Sequence, residues 1–526
     1  MYNLETIFIL LFFVAVLLIG MAQKLRLPYP VMLVLGGTLM GFTPGLPDVN
    51  FDPDTILLIV LPPVLYYAAF GIAFREFQKN WKTIFSLALG LVILTTIVTA
   101  IVFKYLFPQF SWALAFAFGA IVSPPDAIAA TTIFKRFSIS PRLVAILEGE
   151  SLINDASAVV LYKFAVAALL AGSFSIHEAG IELIRVVIGG IFLGFIFGFS
   201  FQLFSKHYLD PVLGVVFSFC IPYITYITAN LLGVSGVLAV VVNGLIGSRI
   251  LITHNSSLRR VIGYATWDIF IILLNCFVFI LIGLQLKTLT NTMSSEQIIL
   301  YTGYGFLIAF TMMCVRLLWV FANASLSYMK ALTNLKTTVF KRKILYDAAI
   351  LGWSGMRGIV SLAIAISLPY TLPDGITIKG RNEVIFITFV VILITLLIPG
   401  LSISALIRWL NIGHHSKKED EKRIRNELAK VIDEKLNHLH LSQSINHTEF
   451  DLLKTYFISH HRILEIYHTE ENKLQNVEIA RLQVIQSQRK RILEMWNGQE
   501  IDDKLFINLE NELDMVEVHI ARAELK

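Results

Sequence analysis

Cysteine is scarce in this chain: Cys220, Cys276 and Cys314 are the only three among 526 residues, each inside an apolar run and in no metal-ligand spacing. That excludes a disulfide framework and leaves the cysteines as packing residues. Charge is scarce as well, at 15% of residues against about 25% in soluble domains, which excludes an ordinary soluble globule. The first apolar run, Leu4 to Met21, has no basic residue ahead of it and no small-residue cleavage site behind it, only Gln23-Lys24-Leu25-Arg26. It is read as an uncleaved span, not a secretory signal. The Gly-x-Gly-Asp setting of an intramembrane protease is absent, and the single Tyr-Asp, Tyr346-Asp347, has no second aspartate motif to match it.

What is present is apolar sequence, 56% of the chain, in runs of about 20 residues separated by short polar connections. The fold expected is an all-α polytopic membrane protein with about thirteen spans, near 4–22, 29–43, 54–72, 82–107, 110–134, 142–171, 180–205, 208–231, 233–248, 265–286, 298–328, 344–370 and 384–410. With the N-terminus outside, the cytoplasmic loops carry seventeen Lys and Arg, from Lys24 to Lys343, against Lys104, Arg185, Lys287, Lys379 and Arg381 on the outer side. Positive charge favours the cytoplasmic face, so this orientation is preferred and the C-terminus falls inside.

The composition shifts after Leu410, giving a transmembrane domain over 1–415 and a cytosolic helical domain over 416–526. The latter is charged in both signs, lacks proline and has one glycine, Gly498. Leu428, Ile432, Leu436 and Leu439, then Leu482, Ile485, Ile492 and Trp496, recur at helical spacing, which suits regulation or interaction. Nine of the twelve histidines, including His414-His415 and His460-His461, lie in or just before it. Histidine titrates near neutral pH, so they offer a pH sensor, though exposed helical histidines are usually passive.

Three interruptions of the apolar pattern carry chemistry. In the sixth span, EGESLINDASAVVLYKF places Asn154-Asp155 mid-helix. A carboxylate there costs roughly 2.5 to 3.5 kcal/mol on insertion scales and marks an ion pathway by default. Ser151 lies one turn before Asp155, and Glu150 one turn before Asn154, so Ser151 can join Asp155 at a cation while Glu150 turns toward a neighbouring helix. A hydrogen-bonded structural cluster is the alternative. In the fifth span, Pro124-Pro125 breaks the helix between Ser123 and Asp126, and a broken helix offers carbonyls and helix ends to an ion. A plain proline kink capped by Asp126 is the alternative there. In the twelfth, Gly352, Gly355 and Gly358 loosen the helix around Arg357, a permanent charge that needs a partner, for which Glu150 is the candidate, or a hydrated crevice. The two interrupted spans are seven apart, so they cross the membrane in opposite directions, as inverted repeats require.

SPPDAIAATTIF, GESLINDASAVVLY and GWSGMRGIVSLA, with LPPVLYYAAF from Leu61, resemble the NHE/NhaP-type sodium/proton exchangers of the monovalent cation:proton antiporter-1 family over about residues 4–410. The resemblance implies a plasma-membrane homodimer of thirteen helices, with a dimerisation domain and a core in which two discontinuous helices cross. It implies that Asp155 binds Na+ and H+ in turn, with Asn154 as companion and Ser151 as a further contributor. It also implies that Glu150 and Arg357 form a structural ion pair and that Asp126 offsets helix-end dipoles at the crossing. Two positions depart from the pattern: Tyr67 stands where an acidic residue is frequent, and Pro125 where a threonine or small residue often precedes the crossing aspartate.

One carboxylate with two incompatible ligands enforces antiport, because burial disfavours a bare charge. The expected activity is secondary active exchange of one Na+ for one H+, electroneutral, by alternating access, serving intracellular pH and sodium homeostasis. Li+ should substitute, and K+ is an open third cargo. Relatives with Asp-Asp at the Asn-Asp position are often electrogenic. No enzymatic chemistry, cofactor or nucleic-acid partner is expected; the partners are monovalent cations, protons and the bilayer. A cation channel would usually have a symmetric pore or filter repeat, which this sequence lacks. An antiporter of organic solutes would need a larger polar cavity.

Overall fold

The computed structural model describes residues 4–25, 29–43, 53–72, 74–127, most of 130–139, 140–171, 176–254, 257–291, 293–333, 338–371 and 377–410, with short stretches beyond, chiefly 485–495. Among these the architecture is helical, as a lipid-embedded backbone requires when its N–H and C=O groups have no water to bond. The helices are α1 (Leu4–Leu25), α2 (Tyr29–Gly41), α3 (Pro53–Gly71), α4 (Phe74–Phe85), α5 (Val92–Leu106), α6 (Trp112–Val122), α7 (Pro141–Ala171), α8 (Ile176–Tyr208), α9 (Pro211–Leu231), α10 (Gly236–His254), α11 (Ser257–Asn291), α12 (Ser295–Thr333), α13 (Thr338–Trp353), α14 (Ile359–Ile366) and α15 (Arg381–Trp409). Among the described residues, seven stretches are long and apolar enough to cross a bilayer, and shorter apolar helices fall in other expected spans.

The boundaries differ from the sequence expectation where polar residues extend a helix beyond its apolar run. The fourth span begins at Phe74, because α4 has a charged face with Glu76, Lys79 and Lys82. It continues through a π-helical turn, Ser86–Leu91, into α5. Ser157 of α7 donates to the carbonyl oxygen of Ala88 in that turn at 2.8 Å. The Pro62-Pro63 pair stays inside α3, a tolerance membrane helices have when neighbouring groups satisfy the freed backbone. Pro124-Pro125 does break its helix.

Small residues set the closest packing. A Cβ on Gly37 of α2 would lie 2.4 Å from the carbonyl oxygen of Ile280, and one on Gly283 of α11 would lie 2.4 Å from the Thr38 nitrogen. Only glycine lets these two helices approach so closely. At the far end of the second interrupted span, Arg381 donates to the carbonyl oxygens of Leu368 and Ile366, both at 2.7 Å, closing the C-terminus of α14. Its guanidinium also lies over the Tyr370 ring, 3.7 Å from the centroid.

The chain divides into two compact units, Met1–Gly413 and His414–Lys526. In the second, residues 485–495 are helical, Leu436 and Ile485 are buried, and Ile492 is partly buried. Leu428, Ile432, Leu439, Leu482, Trp496, His414-His415 and His460-His461 lie outside the described residues.

Candidate ion-binding site

The two breaks meet. α6 ends at Val122, and the two prolines beyond it have no N–H with which to continue it. The Ala120 carbonyl, which would have received a bond from residue 124, accepts one from the Ser123 hydroxyl at 3.1 Å. The Val122 carbonyl would have received the Asp126 N–H; it accepts Arg357 Nε at 3.2 Å. The Asp126 N–H turns across the gap and donates to the Met356 carbonyl at 2.7 Å. Asp126 and Met356 form an antiparallel bridge, so the segment leaving α6 and the segment between α13 and α14 run past one another in opposite directions. Each break supplies partners for backbone groups the other leaves open.

Gly358 makes the crossing possible. A Cβ there would fall 2.0 Å from Asp126 Oδ2 and 2.5 Å from its Cβ, so a side chain at 358 would displace the aspartate. Gly358 is also the N-cap of α14. Asp126 therefore has its carboxylate at the positive end of that half-helix, where a negative charge is favoured.

α7 fixes the first break from the side. Asn154 Nδ2 donates to the Pro125 carbonyl at 2.9 Å, and Ser151 Oγ accepts from the Ala127 N–H at 3.3 Å. Asp155 sits one turn beyond Ser151 and accepts no hydrogen bond from any described residue. It lines a cavity with Ser151, Asp126 and Ser361, walled on the α3 side by Val60, Leu61, Val64, Leu65 and Ala68. Hard oxygen atoms at one end and an apolar wall at the other suit a small dehydrated cation.

The structure gives Glu150 a partner other than the expected Arg357. Arg316, from α12, holds the carboxylate through Nη1 to Oε1 at 2.5 Å and Nη2 to Oε2 at 2.9 Å, and its Nε and Nη2 also reach the Leu351 carbonyl. Arg357 bonds carbonyls only: Val122 at 3.2 Å and Gly355 at 2.6 Å, while its own N–H donates to Thr395 Oγ1. Its Nε and Nη1 are taken by the two interrupted backbones, and no hydrogen bond or ion pair joins it directly to Glu150 among the described residues. The signal for Arg316 was in the sequence as a permanent charge inside FTMMCVRLLWV.

A sequence model described as sodium/hydrogen exchanger, transmembrane, matches residues 9–409. The chain belongs to the sodium/hydrogen exchanger family. A relative in Escherichia coli K12, named as an uncharacterised Na+/H+ exchanger, YjcE, is 32% identical over 416 residues, 76% of this chain and 75% of the relative. A Bacillus pumilus protein named sodium, potassium, lithium and rubidium/H+ antiporter is 30% identical over 430 residues, 78% of this chain; the match spans 60% of that longer relative. The solved structure of the antiporter MjNhaP1 from Methanocaldococcus jannaschii shares the fold, with a TM-score of 0.61 at 22% identity, covering 77% of this chain and 97% of that one.

In this sodium/hydrogen exchanger the Tyr67 departure leaves the α3 wall of the cavity without a polar side chain. Tyr67 lies off the cavity, donates to Asp268 of α11 and stacks on Trp267 with ring centroids 5.6 Å apart. Pro125 contributes its carbonyl, the acceptor that Asn154 uses.

Proposed function

We propose that this exchanger moves one Na+ against one H+ across the plasma membrane by alternating access, electroneutrally, with Asp155 as the seat that either ion occupies. Li+ substitutes for Na+. The name of the Bacillus pumilus relative, a sodium, potassium, lithium and rubidium/H+ antiporter, supports extending the cargo to K+. The observation that carries the reading is Asp155 itself, a carboxylate in an otherwise apolar span that lines the cavity at the crossing without a hydrogen-bond partner among the described residues. An uncompensated charge there is expensive, so the protein crosses its barrier with a proton or a cation on Asp155, and leak of the bare carboxylate is suppressed.

The neighbouring charges support the electroneutral reading. Glu150 is committed to Arg316, and Asp126 faces the N-terminal end of α14. Of these three carboxylates, that leaves Asp155 to exchange ions. Asn154 and Ser151 hold the backbone around it, and Arg357 ties the two breaks together, so the crossing moves as a unit past the apolar α3 wall. Thirteen spans with the N-terminus outside, a homodimer, and a cytosolic regulatory role for residues beyond 415 complete the proposal, which serves pH and sodium homeostasis. Proteoliposomes loaded with a pH dye and exposed in turn to Na+, Li+ and K+ test it. Cation-dependent pH change at a rate independent of an imposed membrane potential is expected. A rate that follows the potential would overturn the one-for-one stoichiometry.

A further inference from the structure

The cavity contains a polar group, within the GWSGMRGIVSLA stretch, to which neither the resemblance nor the proposed exchange assigns a role. Ser361 lies in the first turn of α14, is 1% exposed and lines the same cavity as Asp155, Asp126 and Ser151. Its hydroxyl has no hydrogen-bond partner among the described residues. A helical serine or threonine normally returns its hydroxyl to the carbonyl three or four residues earlier. Nearby residues do so: Ser354 bonds Ile350, Ser367 bonds Ile364 and Thr395 bonds Val391.

For Ser361 those carbonyls belong to Arg357 and Gly358, in the stretch where the helix is interrupted. Gly358 is extended, with φ −119° and ψ −164°, so the backbone ahead of Ser361 is turned out of helical register. The break that builds the crossing thus also frees one hydroxyl in the cavity. Buried polar groups are rarely left unpartnered, and one at a candidate ion site calls for a ligand. Asn154 Oδ1 is also buried without a partner among the described residues, but Asn154 does not line the cavity.

We propose that Ser361 Oγ is a ligand of the transported monovalent cation, a hard oxygen supplied by α14 that helps set which alkali ion is accepted. The inference rests on the reading of Asp155 as the ion's seat. A neutral hydroxyl adds coordination without adding charge, so it bears on affinity and cation ranking while leaving the one-for-one stoichiometry intact.

The test uses full-length protein in proteoliposomes, with initial exchange rates measured against Na+, Li+ and K+ concentration. Ser361→Ala should raise the apparent KM for Na+ about 3- to 10-fold, the order expected for one lost oxygen contact, with a smaller fall in kcat and an altered ranking of the three cations. Ser361→Thr, which keeps the oxygen, should restore the wild-type ranking. Should the alanine variant fail to yield folded protein, Ser361→Cys retains the volume without the hard oxygen and is expected to behave as described for alanine. A wild-type KM and ranking in Ser361→Ala or Ser361→Cys, alongside inactive Asp155→Asn, would overturn the role of Ser361 alone and leave a hydroxyl that meets only water. Wild-type exchange by Asp155→Asn would overturn the seat on which it depends.

Discussion

Arg316 grips the Glu150 carboxylate with two nitrogens, at 2.5 and 2.9 Å, at a point where both side chains are about 98% or more buried. The pair joins α12 to α7 close behind the candidate ion seat. Breaking such a pair strands a charge, at a cost of roughly 3 to 5 kcal/mol, whereas replacing both partners can be nearly neutral. Arg316→Met should therefore lower the melting temperature of the detergent-solubilised protein markedly, and Glu150→Gln combined with Arg316→Met should recover much of the loss. Equal losses in the single and double variants would contradict the pairing.

Arg357 acts through carbonyls instead. With Val122 and Gly355 as its acceptors, it fastens one interrupted backbone to the other. Arg357→Lys keeps the charge but not the two-pronged reach, so it should lose part of the stability that Arg357→Ala loses, on the order of 1 to 3 kcal/mol for each buried carbonyl left open. Thermal unfolding of the two variants checks the order.

Gly358→Ala puts a methyl where the Asp126 carboxylate lies. Overpacking of this kind costs about 1 to 3 kcal/mol, and here it also pushes apart the two breaks. Exchange should fall at least about tenfold while the protein still inserts, since each 1.4 kcal/mol is about a factor of ten. Comparison of transport with surface expression separates the two effects.

Much of this site was legible in the sequence, and the physical reasons differ by residue. Pro124-Pro125 marked a place where a helix can break, although Pro62-Pro63 stays inside α3, and Asp155 had to be expensive, so a candidate break and the carboxylate could be read from the sequence. The partner of Glu150 could not. Arg316 and Arg357 are both permanent charges in apolar spans, and the choice between them depends on how α12 and the second break are rotated about α7, which no local spacing sets. The Ser361 hydroxyl was equally hidden, because its lack of a back-bond comes from the extended backbone at Gly358. In the tail, the apolar spacing was visible, and Leu436 and Ile485 are buried.

Competition between proton and cation at one carboxylate fixes a pH dependence. As pH falls through the range in which Asp155 titrates, more of the seat is protonated, and the apparent KM for Na+ should rise, approaching about tenfold per pH unit on the acid side. Maximal velocity at saturating Na+ should change less. Initial rates over a grid of pH and Na+ concentration test this, and a KM independent of pH would argue for separate sites.

The most direct measurement is Na+-driven pH change in proteoliposomes reconstituted with Asp155→Asn, matched to wild type for the amount of folded protein inserted. Asparagine keeps the shape and removes the charge and the titrating proton. If Asp155 is the shared seat, no exchange above protein-free vesicles is expected for Na+, Li+ or K+. Exchange at the wild-type rate would contradict that role.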